Sequence, residues 1–261
     1  GNLSLPTDLW VPVTADIPPV KSDIYTAGIA YGGLKGWEFS AEVYWRRLDN
    51  VLETKDGKLA LSTTENWEDN VATGVGRAYG TEVYVQKTSG KVTGICSYTL
   101  SKSERRFPDK AINNGKWYPF ANDRRHNIRI AAMCKFNDRI DAAASWVFMS
   151  GNYMTVPERE TVYVDPEGKF HYHHYVSGRN NYKLPPTHHL DLSVNFTKHK
   201  KKGERVWTVG LYNAYCAMNP DWTYVNDIWS RDEAGKVSYS ANITKLSFLT
   251  ILPSVSYTYR F

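Results

Sequence analysis

The C-terminal stretch 249–261 alternates between apolar and polar residues. Its apolar positions are Val255, Tyr257, Tyr259 and Phe261. Its polar positions are Ser254, Ser256, Thr258 and Arg260. Because successive side chains of a β-strand point to opposite faces, this alternation predicts a strand with one apolar, aromatic face and one polar face.

The same period of two residues predicts eight more strands upstream. They lie at about 22–31, 37–51, 78–87, 92–100, 126–136, 140–150, 190–196 and 206–215. Residues 1–20 are rich in proline and polar residues and have no sustained period. We therefore predict an irregular lead-in over residues 1–20, followed by one β domain over residues 21–261.

The connections between these strands alternate regularly between short and long. Turns of a few residues alternate with long polar stretches at about 53–76, 101–125, 151–187 and 216–245. Loops beyond about 12–15 residues are uncommon in compact domains unless they are functional. Transmembrane β-barrels, in contrast, have short turns on the periplasmic rim and long loops on the extracellular rim. With the long loops outside, the last strand ends on the periplasmic side.

The two faces of the predicted strands differ in charge. Charged and amide residues at the polar positions are Glu42, Arg46, Glu82, Gln86, Arg129, Asp141, Asp191, Asn195 and Arg260. Leu192 and Val194 are predicted on the apolar face, and Asp191 and Ser193 on the opposite face. An antiparallel sheet is stable in lipid only as part of a closed barrel, because every backbone N–H and C=O must be paired. The pattern favours an antiparallel transmembrane β-barrel, and a soluble β-sandwich is the alternative.

Composition supports a barrel over a helical membrane protein. The chain has 261 residues, 42% of them hydrophobic, and a mean hydropathy of −0.49. No run approaches the ~20 apolar residues of a transmembrane helix. The 18 Tyr and 9 Trp fit the aromatic girdles of a barrel. The net charge of +5 includes a basic cluster at 198–205, which we interpret as a solvated turn and not as a nucleic-acid site.

Five strings in the sequence resemble one family of membrane proteins. They are GWEFSAEVYWRRLDNVLE (36–53), SYTLSKSERRFPDKAINNGKWYPFANDRRHNIRI (97–130), ASWVFMSGN (144–152), LYNAYCAMNP (211–220) and ILPSVSYTYRF (251–261). Together they resemble the C-terminal portion of the β-barrel of TonB-dependent outer-membrane receptors. The terminal Phe261, preceded by Tyr259 and Tyr257, also resembles the signal that the barrel-assembly machinery reads in outer-membrane proteins.

The resemblance implies the location, partners and function of the protein. It implies a wide barrel of roughly 22 strands in the outer membrane of a Gram-negative bacterium. Such receptors take up scarce large solutes, namely iron chelates, cobalamin-like molecules or oligosaccharides. Energy arrives from TonB through a plug domain, and this sequence contains no plug. Nine strands is an odd number, whereas bacterial single-chain barrels have even numbers. We therefore expect a fragment that forms an open, curved sheet.

Candidate chemistry is concentrated in the long loops. The loop aromatic residues are Trp67, Trp117, Tyr118, Trp222, Tyr224 and Trp229. We take Trp117, Tyr118, Arg124 and Trp222 as the candidates for ligand contact, because loops on a rigid scaffold carry function and aromatic residues anchor ligands. Membrane-interface anchoring or loop packing is the alternative role.

Other chemistry is weakly supported. The histidines that have metal-binding potential are His171, His173, His174, His188 and His189. They lack partners at ligand spacing, so we expect no metal and no cofactor. No GxSxG-type nucleophile is present, and we expect no enzyme activity. A lectin-like soluble binding module and a passive porin-type barrel remain the alternative functions.

Overall fold

The computed structural model describes residues 12–58, 66–201, 203–231 and 237–261. Its strands, in chain order, are β1 (Lys21–Tyr31), β2 (Trp37–Thr54), β3 (Val71–Lys87), β4 (Val92–Arg106), β5 (Tyr118–Pro119), β6 (His126–Lys135), β7 (Ile140–Met149), β8 (Tyr153–Met154), β9 (Arg159–Val164), β10 (Phe170–Tyr175), β11 (Tyr182–Lys183), β12 (Thr187–Lys200), β13 (Gly203–Tyr212), β14 (Trp222–Arg231), β15 (Val237–Leu246) and β16 (Leu252–Arg260). Two short 3-10 helices span Trp67–Asn70 and Asn113–Gly115.

Nine strands and the short strand β5 form one open antiparallel sheet. Their order is β1-β2-β3-β4-β6-β7-β12-β13-β16, and β5 pairs with β4 beside this path. Each of these nine strands therefore pairs with the next of the nine along the chain, as in the meander of a barrel wall. Within the described residues, β1 and β16 are the two edges and do not pair with each other. The nine predicted strands and the open sheet are confirmed.

The register keeps the apolar residues of all these strands on one face. Residues directly opposite each other on neighbouring strands share a face of the sheet. Ala144 pairs with Leu192, and Leu192 pairs with Leu211. On the other face, Asp191 pairs with Ser145. The predicted division between an apolar face and a polar face is therefore confirmed.

The main sheet is a single layer. Strands β1 and β16 are exposed along their whole length. A β-sandwich would bury one face of these strands against a second sheet, so the described part of the chain is not a sandwich. Neither 3-10 helix in the described residues has the length or apolar character needed to cross a membrane.

Several strands are longer than the sequence predicts. Strand β3 begins at Val71 and not near residue 78, and β4 continues to Arg106 and not to residue 100. The added segments contain glycine and charged residues in place of alternating apolar ones. Because this end of the sheet lies outside the apolar band, its pairing does not require an apolar period.

The long connections join the strands at one edge of the sheet, which we call the long-loop rim. The first, second, third and fourth long connections are residues 55–70, 107–125, 150–186 and 213–251. They contain structure of their own: β9 pairs with β10, β8 with β11, and β14 with β15. Residues 12–20 of the lead-in contain neither helix nor strand, and residues 1–11 lie outside the described residues.

Candidate functional site

A β-bulge at Asn50 sets the direction of the side chains that follow it. Asp49 pairs with Val75 and Val51 pairs with Gly74, so Asn50 is the extra residue of β2. Its φ of 59° is in the left-handed region, where asparagine is better tolerated than most residues. An extra residue reverses the alternation of a strand. As a result Val51 and Glu53 point to the polar face. In a regular strand they would share the apolar face with Phe39 and Trp45, which lie an even number of residues away.

Glu53 is the centre of a charged cluster at the long-loop rim. Arg105 Nη1 donates a hydrogen bond to Glu53 Oε1 at 2.7 Å, and the Tyr118 hydroxyl donates to Glu53 Oε2 at 2.8 Å. Arg179 Nη2 lies 3.5 Å from Glu53 Oε2, and its Nη1 donates to Asp56 Oδ1 at 3.3 Å. We call these residues, Glu53, Asp56, Arg105, Tyr118 and Arg179, the loop junction.

The loop junction lies against a small apolar core. The buried members of this core are Val51, Ala72, Phe107, Ile112 and Tyr118. A Cβ added at Gly74 would lie 2.7 Å from the Phe107 ring, so this position admits only glycine without displacing the ring. The Phe107 side chain is fully buried as a result. The polar cluster is therefore held in a fixed place by apolar packing beneath it.

Burial also fixes the protonation state of Tyr118. Its side chain is only 2% exposed. Burial raises the pKa of the Tyr118 hydroxyl far above its ordinary value, and the charge of Glu53 raises it further. Tyr118 is therefore a hydrogen-bond donor to Glu53 throughout the physiological pH range.

Hydrogen bonds of Asn113 and Asn180 join the long connections to one another. The Asn113 backbone N–H donates to Asp56 Oδ2 at 2.9 Å, which connects the second and first long connections. The Arg179 N–H donates to Asn113 Oδ1 at 3.0 Å, and Asn180 Nδ2 donates to the Pro119 carbonyl at 2.7 Å. Three of the four long connections therefore form one packed unit.

The Asp-Arg-Arg-His string at 123–126 anchors the start of β6. Asp123 is only 3% exposed, and its Oδ1 accepts a hydrogen bond from the Ser103 N–H at 2.7 Å. Its Oδ2 has no hydrogen-bond partner among the described residues, and Arg125 lies 3.8 Å away. Burial raises the pKa of the Asp123 carboxyl above its ordinary value, against the lowering effects of Ser103 and Arg125. Arg124 Nη1 donates to Thr187 Oγ1 at 3.3 Å.

Two asparagines of the LYNAYCAMNP string fix the fourth long connection to the sheet. Asn213 is fully buried, and its side chain donates to the Ala217 carbonyl at 2.9 Å and accepts from the Ala217 N–H at 2.8 Å. The Asn219 side chain makes the same two bonds to the backbone of His188, each at 2.9 Å. Sequence reasoning did not select these residues. The only signal is that each asparagine follows an apolar or aromatic run.

A cavity of about 430 Å³ opens between the first three long connections. The residues that line it are Asp56, Gly57, Asn113, Asn114, Thr155, Tyr175, Val176, Ser177, Gly178 and Arg179. Its volume is within the range of about 300–1,000 Å³ that is typical of small-molecule sites. Its floor is part of the loop junction, so its shape depends on the ion pairs described above.

The structure places the four candidate contact residues in different environments. Arg77 lies over the Trp117 ring, 4.2 Å from its centroid, on the side of the strand opposite Tyr118. Tyr118 is buried in the loop junction, and Arg124 is half-buried beside Thr187. Trp222 begins β14 in the fourth long connection. The four residues thus have separate surroundings, and their role in ligand contact stays a prediction.

The histidines and the C-terminal aromatics have separate positions. His171 Nε2 lies 2.7 Å from Asp165 Oδ2, and His188 Nδ1 lies 2.8 Å from the Tyr215 hydroxyl. The side chains of His173 and His174 lie outside the description. Three or more potential metal ligands do not gather anywhere in the described part of the chain. Tyr257, Tyr259 and Phe261 are all exposed.

The sheet, its two faces and its folded rim define the class as the wall of a large β-barrel. Residues 3–214 match the family model TonB dependent receptor-like, beta-barrel, and the chain belongs to this family. Comparison with curated protein sequences finds no significant match.

Two receptors are among the solved structures that have the same fold. The ferric-catecholate import receptor Fiu of E. coli K12 matches with a TM-score of 0.54 and 14% identity, over 100% of this chain and 31% of that one. The ferripyoverdine receptor of Pseudomonas aeruginosa matches with a TM-score of 0.52 and 15% identity, over 97% of this chain and 30% of that one. The chain thus spans about a third of the length of these receptors.

Proposed function

We propose that this chain forms part of the barrel wall of a TonB-dependent receptor in the outer membrane of a Gram-negative bacterium. The receptor takes up a scarce large solute with energy supplied through TonB. The observation that carries the proposal is a single-layer sheet with one continuous apolar face and a folded set of long connections on one rim. Membership of the family supports the same function.

The apolar face fits the hydrocarbon region of a bilayer. Aromatic pairs lie toward both rims, as in the girdles of outer-membrane barrels. Toward the long-loop rim, Trp45 stacks on Tyr79 with centroids 5.3 Å apart. Toward the short-turn rim, Trp207 and Tyr257 lie 4.9 Å apart. Arg or Lys near the bilayer midplane costs about 2–4 kcal/mol, which explains the lack of charge between these pairs.

The proposal includes the partners of the receptor. Lipid covers the apolar face, and the barrel-assembly machinery reads Tyr257, Tyr259 and Phe261. TonB acts through a plug domain that is not part of this sequence. The solute is an iron chelate, a cobalamin-like molecule or an oligosaccharide. The two solved receptors bind or import iron chelates by their names, but identities of 14% and 15% carry only the fold.

An uptake experiment tests the proposal. The gene is deleted from its host, and growth is measured with ferric chelates, cobalamin or oligosaccharides as the limiting nutrient. We expect one growth defect, restored by the full-length gene but not in a strain without TonB. Restoration without TonB would favour the porin-type barrel and would contradict active transport.

A further inference from the structure

The cavity between the first three long connections carries no net charge. Asp56 and Arg179 are the charged residues in its lining, and they form an ion pair at 3.3 Å. Arg179 also lies 3.5 Å from Glu53, so its positive charge is shared between two carboxylates. Asp56 accepts a second hydrogen bond from the Asn113 N–H. An anionic chelate would have to break these bonds to bind the Arg179 guanidinium. A cationic ligand would compete with Arg179 for Asp56.

The remaining lining is uncharged, and apart from Val176 and two glycines it is polar, with one aromatic ring. Tyr175, which ends β10, is 52% exposed. Asn114 is exposed beside it in the lining, and Thr155 and Ser177 add hydroxyl groups. Such a wall offers one apolar surface together with hydrogen-bond donors and acceptors, which fix the orientation of a ligand in a pocket.

Two glycines, Gly57 and Gly178, are part of the cavity lining. Gly57 has a φ of +77°, a conformation that favours glycine, and a Cβ placed there would meet nothing within 4 Å. Gly178 lies on the other side, where a Cβ would approach the Asn113 side chain at 3.1 Å. The backbone at both positions is therefore accessible to a ligand that enters from solvent.

We propose that this cavity binds a neutral oligosaccharide, with Tyr175 under the C–H face of one sugar ring and with Asn114 and Asp56 bound to its hydroxyl groups. A sugar ring has an apolar face and a rim of hydroxyl groups, and it needs no free charge from its site. The cavity offers the complementary features, namely an exposed aromatic ring, hydrogen-bonding groups and charges that are already paired. The inference rests on the proposed function, because it names the solute class that the long connections select.

The test uses the full-length gene product, purified in detergent. It is applied to an array of neutral, uronic-acid and amino-sugar oligosaccharides, and a ferric catecholate is titrated in parallel. We expect binding to neutral oligosaccharides. Tyr175→Ala and Asn114→Ala should each weaken binding of the best neutral oligosaccharide about tenfold, equivalent to 1.4 kcal/mol. Tyr175→Phe should retain most of the affinity, because it keeps the ring.

Matched controls separate the cavity from the rest of the loops. Tyr182→Ala and Asn122→Ala change an exposed tyrosine and an exposed asparagine outside the cavity, and they should leave binding unchanged. The inference would be overturned if the unmodified protein bound only charged sugars or the ferric catecholate, or bound no oligosaccharide. It would also be overturned if Tyr175→Ala and Asn114→Ala both bound the neutral oligosaccharide with full affinity. If TonB-dependent uptake of another solute persists in those cases, the proposed function stands and only the sugar site fails.

Discussion

Glu53 and Arg105 form an ion pair at 2.7 Å between the rim ends of two strands that are not neighbours in the sheet. The pair forms because the bulge at Asn50 turns Glu53 to the polar face, where Arg105 already points. Without the extra residue, Glu53 would point to the apolar face. A single inserted residue in β2 therefore determines how the long connections are held together.

Glu53→Ala should loosen the long connections. It removes the acceptor for Arg105 and for the Tyr118 hydroxyl, and an unsatisfied buried group costs roughly 1–3 kcal/mol. Protease cleavage of the first three long connections on intact cells should therefore become faster. Asp49→Ala is the control, because the Arg47–Asp49 ion pair is exposed and worth about 0–1 kcal/mol. Equal cleavage rates for the two variants would contradict the central role of Glu53.

The strands could be predicted from the sequence wherever one face of the strand is apolar and the other is polar, because apolar residues then recur at every second position. Strands β12 and β16 have clear alternation, and their predicted and observed faces agree. The first residues of β3, from Val71 to Gly76, have no such period, and the sequence predicts a loop there. Their pairing depends on backbone hydrogen bonds and on the packing of Phe107 over Gly74.

The site was harder to predict because its residues meet through tertiary contacts. Tyr118 is a candidate because of its aromatic ring, and nothing in the local sequence indicates that its hydroxyl donates to Glu53, 65 residues away, or that Arg179 contacts the same carboxylate. The bulge at Asn50 has no local signature beyond the asparagine itself. Arg179 lies in a polar stretch with no motif, so its role was not predicted.

Asp123→Asn should stabilise the protein more at neutral pH than at acidic pH. A raised pKa means that the folded state favours the protonated carboxyl, so its contribution is full below the unfolded pKa of about 3.9. That contribution is lost as the pH rises through the folded pKa. Asparagine is always neutral and keeps the acceptor for the Ser103 N–H. Melting temperatures in detergent at pH 4 and pH 7 measure the effect.

The control for Asp123 is Asp109→Asn, at an exposed position in the same long connection. It should change the melting temperature equally at both pH values. If Asp123→Asn also shows the same change at pH 4 and pH 7, burial does not raise the pKa of Asp123.

Asn213→Ala should destabilise the base of the fourth long connection. The substitution removes two hydrogen bonds to Ala217 and leaves a buried N–H and C=O without partners, at roughly 1–3 kcal/mol each. The melting temperature should fall, and cleavage within the fourth long connection should increase. Asn122→Ala, at an exposed asparagine, should have little effect. An unchanged melting temperature for Asn213→Ala would show that these two bonds are dispensable.

Leu192→Arg should impair membrane insertion far more than Ser193→Arg. Leu192 lies on the apolar face beside Ala144 and Leu211, whereas Ser193 lies on the polar face beside Ala143 and Gly210. A cation on the lipid face near the midplane costs about 2–4 kcal/mol, and one on the polar face costs little. The measurement is the amount of each full-length variant in the outer-membrane fraction. Equal amounts would show that the assignment of the faces to lipid and lumen is wrong.

Removal of Phe261 should lower the amount of protein in the outer membrane while transcription stays constant. Phe261 is fully exposed at the end of the apolar face, and the ring of Tyr259 lies 5.9 Å away. Phe261 therefore contributes little to packing among the described residues, which favours a role in recognition during assembly. Phe248→Ala is the matched control, because Phe248 is also exposed but lies in the fourth long connection. An unchanged surface level without Phe261, measured by antibody on intact cells, would contradict a role in assembly.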